Sequence, residues 1–468
     1  MEKVGVLVVS YGAREAAIID AFARSDYYKV DLYVADKQKN PFNARIATKH
    51  VVIPDLNVEE ICRFAEANRD KISFGIVGPE KPIIEGVRDL VEDRTSIPMI
   101  CPTKDCAIEK SKVQQRLLFQ EVVPEVNPRF RIFDPKNYKS VTEVKRTVYN
   151  WLDDLQNKAV VKPDKPAAGK GVGVWGDHFT NRDQLFEHFL SNFRFGSVII
   201  EEKVDGEESS FQAFCDGKHI VPLPDTRDYK RAFDDDQGPN TGGMGSYKGA
   251  GEVLPFLNTD DRTREIEIVR RIFTKWRIED ASGLRGIPFY VAFMHTGRES
   301  KILENNSRPG DPEMINILPI LKQDFVDTCF KILEGNLTHV ELEKAATVVT
   351  YKVPANYGGY VDAFPGLVDT NEVGTPVNLS KVYELDKKYG GKIRVYPASM
   401  EIRDGETYAL KSRAVAVVGT SEEIEAARQI SIEGIKAIKG GELWSRTDIA
   451  SRRHINESKL HMEKLRAR

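Results

Sequence analysis

Glu304 and Asn306 stand two residues apart in ILENNSRPGDPE (302–313), at the end of a strand-like run. At that spacing both side chains face one side of a strand. Two oxygen donors on one face suit Mg²⁺, a hard ion that also keeps water and nucleotide phosphates in its shell, and Mn²⁺ accepts the same donors. Arg308 follows, placed to contact an anion. A second segment, DYKRAFDDDQGPNTGGMGSY (228–247), sets Lys230 and Arg231 ahead of three acids, Asp234, Asp235 and Asp236. Four glycines then fall within the eight residues from Gly238 to Gly245. Glycine permits positive φ and close approach of main chain to a ligand. A flexible linker would not need Pro239, Met244 and Tyr247.

Two more segments ask for the same kind of ligand. VVKP (160–163) presents Lys162 on a strand, and AAGKGV (167–172) follows it. Such a small-residue loop can fold over phosphates with its amides and a lysine charge, although it is not a GxxxxGK[ST] loop. VIIEEKVDGEE (198–208) runs from an apolar strand into paired acids. Its main chain could pair with a base edge, and a later acid could accept from ribose hydroxyls. Alone, the first reads equally as a loop that binds nothing and the second as an edge strand with solvated acids. Together with the other two they point to a nucleotide.

The elements that position these residues follow from periodicity. In the first hundred residues strands at Lys3–Val9, Val30–Ala35, Val51–Ile53, Phe74–Gly78 and Pro98–Cys101 alternate with helices at Arg14–Ala23, Glu59–Ala67 and Ile83–Leu90. That alternation predicts an α/β fold with a doubly wound parallel sheet. Ligands of such sheets sit beyond the carboxyl ends of strands, here the loops Ser10–Glu15, Asn40–Arg45 and Gly78–Pro82. A middle section mixes helices with strands at Lys158–Pro163, Ser197–Glu202, Phe211–Asp216 and Phe289–Met294. Beyond Ala345, strands are expected at Val348–Val353, Lys381–Leu385, Lys392–Val395 and Arg413–Val418, with an amphipathic helix at Glu422–Ile438. The basic tail from Arg452 reads as a surface helix rather than a site for an acidic partner.

Composition narrows the class. The chain has 468 residues, 41% hydrophobic, with a net charge of −3, so it can build several cores and is no whole-protein nucleic-acid binder. Its five cysteines offer only a lone CxxxxC pair, Cys101 and Cys106, and read as buried thiols of a reducing cytoplasm. No apolar run reaches membrane-span length. The eight histidines form no pattern, and no Ser/His/Asp or Cys/His set stands out.

In this order the segments resemble the ATP-grasp ligases, and among them the glycinamide ribonucleotide synthetase (phosphoribosylamine–glycine ligase) family. That family's VGPExP is met at Val77–Pro82, AAGKGV at Ala167–Val172, IEE…DGEE at Ile200–Glu202 and Asp205–Glu208, and GPNTGGMG at Gly238–Gly245. ExNxRFGDPE is met at Glu304–Glu313 with one change, and R-x-D-I at Arg446–Ile449. The resemblance implies an N-terminal substrate domain (1–103), an ATP-grasp domain (104–344) with a small lid (about 122–200), and an α+β C-terminal domain (345–468). It implies ATP and Mg²⁺ (or Mn²⁺) as cofactors, glycine and 5-phosphoribosylamine as substrates, no nucleic-acid or membrane partner, a cytoplasmic setting, and a monomer or small homo-oligomer.

The same resemblance assigns roles. Lys112 and Lys162 would meet the ATP phosphates under a lid loop containing Ala168, Gly169, Lys170 and Gly171. Glu201, Glu202 and Val204 would lie at adenine, with Glu201 and Val204 offering main-chain groups, and Glu208 at ribose. Glu304 and Asn306 would hold the metal, with Arg308 and Asp311 near the transferred phosphoryl group or the amine. Lys230 with Asn240, Thr241, Gly242 and Gly243 would line an acyl-phosphate site. Gly12, Arg14, Glu15, Asn40, Asn43, Arg45, Gly78, Pro79 and Glu80 would bind phosphoribosylamine.

Departures gather on that last side. The family's GxGGREHA reads here as Ser10 to Ala17, without one glycine and the histidine, and NPGNAG reads Asn40 to Arg45, with Phe42 and Arg45 for two glycines. Pro309 replaces the phenylalanine of RFGDPE, and Tyr229 the histidine of DHK. A related ligase using another amine is the alternative these changes allow.

Overall fold

The computed structural model describes residues 1–166, 171–280, 283–355, 357, 370–372 and 374–467. The first hundred residues form five parallel strands in the order Lys49–Val52, Tyr28–Asp36, Glu2–Ser10, Phe74–Val77, Met99–Ile100. Alternate side chains of the central strand feed two cores. Val4, Val6 and Val8 meet Ala16, Ile19 and Phe22 on one face, and Leu7 and Val9 meet Ile61 and Val87 on the other. The strand order reverses beside Glu2–Ser10, so the loops after Ser10 and Val77 share the crevice where such sheets bind ligands. The helix expected at Ile83–Leu90 is two helices, Glu80–Glu85 and Val87–Thr95. They are broken at Gly86, whose φ of +91° no helix continues through.

A small sheet follows, ordered Phe130–Phe133, Val198–Glu202, Ala159–Pro163, Gly173–Val174. Helices Val141–Asp154 and Arg182–Phe193 bury Val148, Leu152 and Phe189 against it. A second antiparallel sheet is ordered Ile220–Pro222, Glu207–Asp216, Arg285–His295, Ser300–Asn306. Its strand Glu207–Asp216 begins four residues ahead of the expected one, which carries Glu207 and Glu208 into the ladder. Helices Lys112–Val122 and Thr259–Asp280 cover its far face through Phe119, Ile272 and Phe273.

The third sheet joins distant parts of the chain. Arg227–Asp228 and Gly245–Lys248, which flank the glycine-rich turn, pair into Ala346–Pro354, Val415–Ser421 and Ile393–Pro397. The strand expected at Lys381–Leu385 is instead part of helix Ser380–Tyr389. Its apolar residues, Val382, Leu385 and Tyr389, recur at helical spacing. The tail helix Arg452–Arg466 is capped by Ser451 and buries Ile455, Met462 and Leu465. The acids its basic groups meet belong to this chain: Arg453 pairs with Asp235, and Arg466 approaches Asp261 at 2.5 Å. All five cysteines are buried, and no helix among the described residues is long and apolar enough to cross a membrane.

Candidate active site

Pairing between Arg285–His295 and Ser300–Asn306 slips at Leu303, so that Ala292 faces Glu304 but Phe293 faces Ile302. Such a slip takes one residue out of the ladder and re-aims its neighbours. The Leu303 carbonyl accepts from Arg116 Nη2 at 2.7 Å and from Lys162 Nζ at 3.1 Å. Glu304, half-buried, lies where four cations converge. Burial alone would raise the Glu304 carboxyl, but Lys112, Lys230, Lys162 and Arg308 hold it at about 2. Asn306, on the same face of the strand, is buried. A carboxylate fixed in its ionised form beside one amide oxygen fits Mg²⁺. Among the described residues there is no cluster of three or more His, Cys, Asp or Glu to enclose an ion. A metal here would fill its shell from water and phosphate, the habit of Mg²⁺.

The cations come from separate elements. Lys112 opens helix Lys112–Val122, where Ser111 caps by accepting from Gln114 N at 3.1 Å. Lys162, on the lid sheet, pairs with Glu201, which also takes Arg116 Nε at 2.6 Å. Burial would raise Glu201, yet Arg116 and Lys162 hold it low. Its main chain lies inside the sheet between Phe130 and Val160, so Glu201 does not offer a free edge. Its carboxylate is a tether for Lys162 instead. Lys203 N still donates to Lys158 O at 2.9 Å, and Val204 follows beyond the ladder. Glu202 turns away to Arg129, 2.8 Å from its Nε. Arg308 leans over the Tyr290 ring, its Nε 3.5 Å from Glu109 and 3.7 Å from Glu80, without a hydrogen-bond partner among the described residues.

Lys230 pairs with Glu208 and is held protonated by Glu208, Asp228 and Glu304 against the opposing effect of burial. Thr241 anchors the turn by donating both N–H (2.7 Å) and Oγ1–H (2.9 Å) to the Lys230 carbonyl. Gly243 has φ +104°, and a Cβ there would lie 2.7 Å from Asp228 Oδ1. Gly242 N donates to the Tyr357 hydroxyl at 3.0 Å, and Asn240 pairs with Arg231. Arg413, expected only as the first residue of a strand, instead clamps this turn from just ahead of the strand Val415–Ser421. It donates to Gly242 O at 2.6 Å and Asp311 O at 3.0 Å, and its Nη2 lies 3.1 Å from the Asp311 carboxylate. A single arginine before a strand carries no local signal of such a role. Asp228 was also missed; its Oδ1 is buried without a partner, and burial beside Glu313 raises its carboxyl well above the usual range.

The N-terminal loops have a different character. Glu15 accepts from Gly12 N at 2.8 Å and Arg14 Nε at 2.5 Å, closing its own helix start, and Gly78 packs against its carboxylate. Arg14 Nη1 donates to Pro309 O at 2.7 Å. Asn40 caps helix Pro41–Ile46 through Phe42 N and Asn43 N, and donates to Pro397 O and Ala398 O of the C-terminal domain. Asn43 donates to Ser10 Oγ and Asp36. These four side chains are at most 2% exposed. The structure thus uses them as interior fasteners, against the expectation that they contact substrate. Phe42 fills the seam against Tyr396, while Arg45 is exposed beside Tyr383. Pro79 and half-buried Glu80 line the crevice start. Of the lid loop, Ala168, Gly169 and Lys170 lie outside the described residues, and Gly171 O meets His188 Nε2 at 2.8 Å.

One further cluster was not expected: Ser209 Oγ lies 2.8 Å from His295 Nε2 and 2.5 Å from Glu265. All three are at most 1% exposed, so the trio knits strand to helix and meets no substrate.

Family models match most of this frame: "Phosphoribosylglycinamide synthetase, N domain" over residues 4–109 and "Phosphoribosylglycinamide synthetase, ATP-grasp (A) domain" over 128–314. The chain belongs to the phosphoribosylglycinamide synthetase family. Similarity to single members of the family runs end to end. The chain is 36% identical to the phosphoribosylamine–glycine ligase of Methanocella arvoryzae, covering 98% of this chain and 99% of that one. It is also 36% identical to that of Pyrococcus furiosus, over 99% and 98%. The crystal structure of the Thermotoga maritima phosphoribosylamine–glycine ligase superposes with a TM-score of 0.71 at 24% identity, over 95% of this chain and all of the other, and shares its fold.

Proposed function

We propose that this chain ligates glycine to 5-phosphoribosylamine with ATP, giving glycinamide ribonucleotide, ADP and phosphate. Convergence of Lys112, Lys162, Lys230 and Arg308 on an ionised Glu304 carries this reading, in a chain similar over its whole length to such ligases. Glu304 and Asn306 would hold Mg²⁺, which when bound supplies charge neutralisation on the phosphates. Lys112, Lys162 and the loop Ala168–Gly171 meet those phosphates. Val204 offers main chain to adenine, and Glu208, shared with Lys230, faces ribose.

A glycine carboxylate oxygen attacks the terminal phosphorus, forming one O–P bond as the bond to ADP breaks. Arg308, oriented by Glu109 and Glu80 and partly exposed, takes up charge on the phosphoryl oxygens. Lys230 and the Asn240–Gly243 turn hold the resulting acyl phosphate. The amine of phosphoribosylamine then attacks the carbonyl carbon, phosphate leaves, and the nitrogen gives up a proton. Asp311 stands where the N-terminal crevice meets this turn, near Gly12 and Arg413. Arg45, exposed and without an acidic partner among the described salt bridges, is the candidate for the substrate phosphate. The chain's contribution is positioning and charge stabilisation rather than a side-chain nucleophile. Glycine labelled with ¹⁸O in its carboxylate tests the acyl-phosphate step. One labelled atom should appear in each phosphate released, and product formed alongside unlabelled phosphate would remove that step.

A further inference from the structure

Lys230 is flanked by two residues gripped from the far end of the chain. Arg446, its side chain fully buried, donates from Nη1 to the Arg231 carbonyl at 2.8 Å and lies over the Tyr229 ring at 5.0 Å. The Tyr229 hydroxyl in turn accepts from Ala450 N at 3.0 Å. Both neighbours of Lys230 in sequence are therefore fixed by the Arg446–Ala450 segment, while its own carbonyl is fixed by Thr241 on the other side. The grip is itself braced. Arg446 makes a fork to Asp448, with Nε and Nη2 at 2.8 and 2.7 Å, and reaches Asp236 at 2.8 Å. Asp235 N donates to Asp448 at 2.9 Å, and Thr447 N donates to Asp234 at 2.8 Å.

This accounts for the three acids after Lys230. Asp235 and Asp236 have left-handed backbones, φ 60° and 51°, which non-glycine residues hold only when their surroundings impose it. Arg446, Asp448 and Arg453 impose it, with each acid of the turn engaged by the C-terminal segment. Arginine is suited to the task because one planar fork serves a carboxylate and a carbonyl at once while its face lies on an aromatic ring. The pairing of Tyr229 with Arg446 is particular to a chain with tyrosine at this position.

We propose that Arg446 is a positioning residue for Lys230, through which the C-terminal segment sets the reach of the catalytic cation. The proposal rests on the reading of Lys230 given above. Arg446→Lys keeps the charge but not the fork, so it should lower kcat per folded molecule roughly tenfold while KM for ATP stays near wild type, alongside a lower unfolding midpoint from the buried hydrogen bonds lost. Lys230→Ala should lose on the order of 100-fold or more. In the Lys230→Ala background, Arg446→Lys should cost nothing further, since the group it serves is gone. Unchanged kcat in Arg446→Lys, or fully additive losses in the double variant, would overturn the proposal. Should Arg446→Lys not fold, Asp236→Asn carries the test at a partly exposed carboxylate. It is expected to cut kcat roughly two- to fivefold, with that effect absent in the Lys230→Ala background; a kcat equal to wild type overturns the proposal. Full activity in Lys230→Ala is a separate result, and it would remove the role of Lys230 itself.

Discussion

The cradle around Glu304 and the loops at Gly12–Glu15 and Asn40–Asn43 draw on similar residue types but differ in how far they are closed to solvent. In the cradle Lys112, Lys162, Lys230 and Arg308 surround a half-buried Glu304, and three of them are held in place by further acids, Lys162 by Glu201, Lys230 by Glu208 and Arg308 by Glu109. In the N-terminal loops Arg14, Glu15, Asn40 and Asn43 are buried and spend their hydrogen bonds on neighbouring turns and the C-terminal domain, with only Asn43 Oδ1 and the adjoining Asp36 Oδ1 left without a partner among the described residues. What separates the two is access: the four N-terminal side chains are at most 2% exposed, whereas Lys112, Lys230, Glu304 and Arg308 each keep part of their surface open to a ligand. On this view the first region performs the chemistry, and the second fastens the domain whose exposed residues choose the amine.

Four variants can break or sharpen that contrast. Glu304→Gln should lower turnover on the order of 1,000-fold, read as ADP release, with circular dichroism and unfolding midpoint unchanged; near-normal turnover would empty the cradle of its role. Asn40→Ala should do the reverse. It loses a helix cap and two bonds to the C-terminal domain, so urea unfolding should show a loss of about 2–3 kcal/mol with kcat per folded molecule preserved.

Two lysines, one half-buried and one buried, sharpen the contrast. Lys230 is held charged by acids, whereas Lys248, 1% exposed and donating to Gly249 O and Ala345 O, is lowered to about 8, chiefly by burial and against a small opposing pull from Glu252. The unfolded lysine titrates near 10.5, so between pH 8 and 10.5 the unfolded chain binds more protons. Stability from this group therefore rises with pH across that window. The stability of wild type relative to Lys248→Met should increase by about 2–3 kcal/mol over it, and a flat difference would contradict the assignment. The smallest effect is expected of Arg45→Gly: KM for phosphoribosylamine up roughly tenfold, about 1.4 kcal/mol, with kcat unchanged. An unchanged KM would move the phosphate contact elsewhere.

Much of this was legible in the sequence because it is local. Alternation over the first hundred residues specified the parallel sheet, and the two-residue spacing of Glu304 and Asn306 put both on one face. What was not legible depends on pairing across long separations. Glu201 was read as main chain for a base, whereas register across the lid sheet turns its carboxylate to Lys162. The slip at Leu303 that frees a carbonyl for Arg116 and Lys162 leaves no mark in the sequence. Arg413 reaches the glycine-rich turn only because strands on both sides of that turn join the C-terminal sheet. Asn40 was misread because helix caps and ligand contacts call for the same side chain.

Steady-state ADP release with purified protein, ATP, Mg²⁺, glycine and freshly generated phosphoribosylamine, each omitted in turn, tests the central claim most directly. Release is expected only with the complete set, or at a small residual rate without the amine. ADP formed equally well without glycine and without phosphoribosylamine would contradict the account.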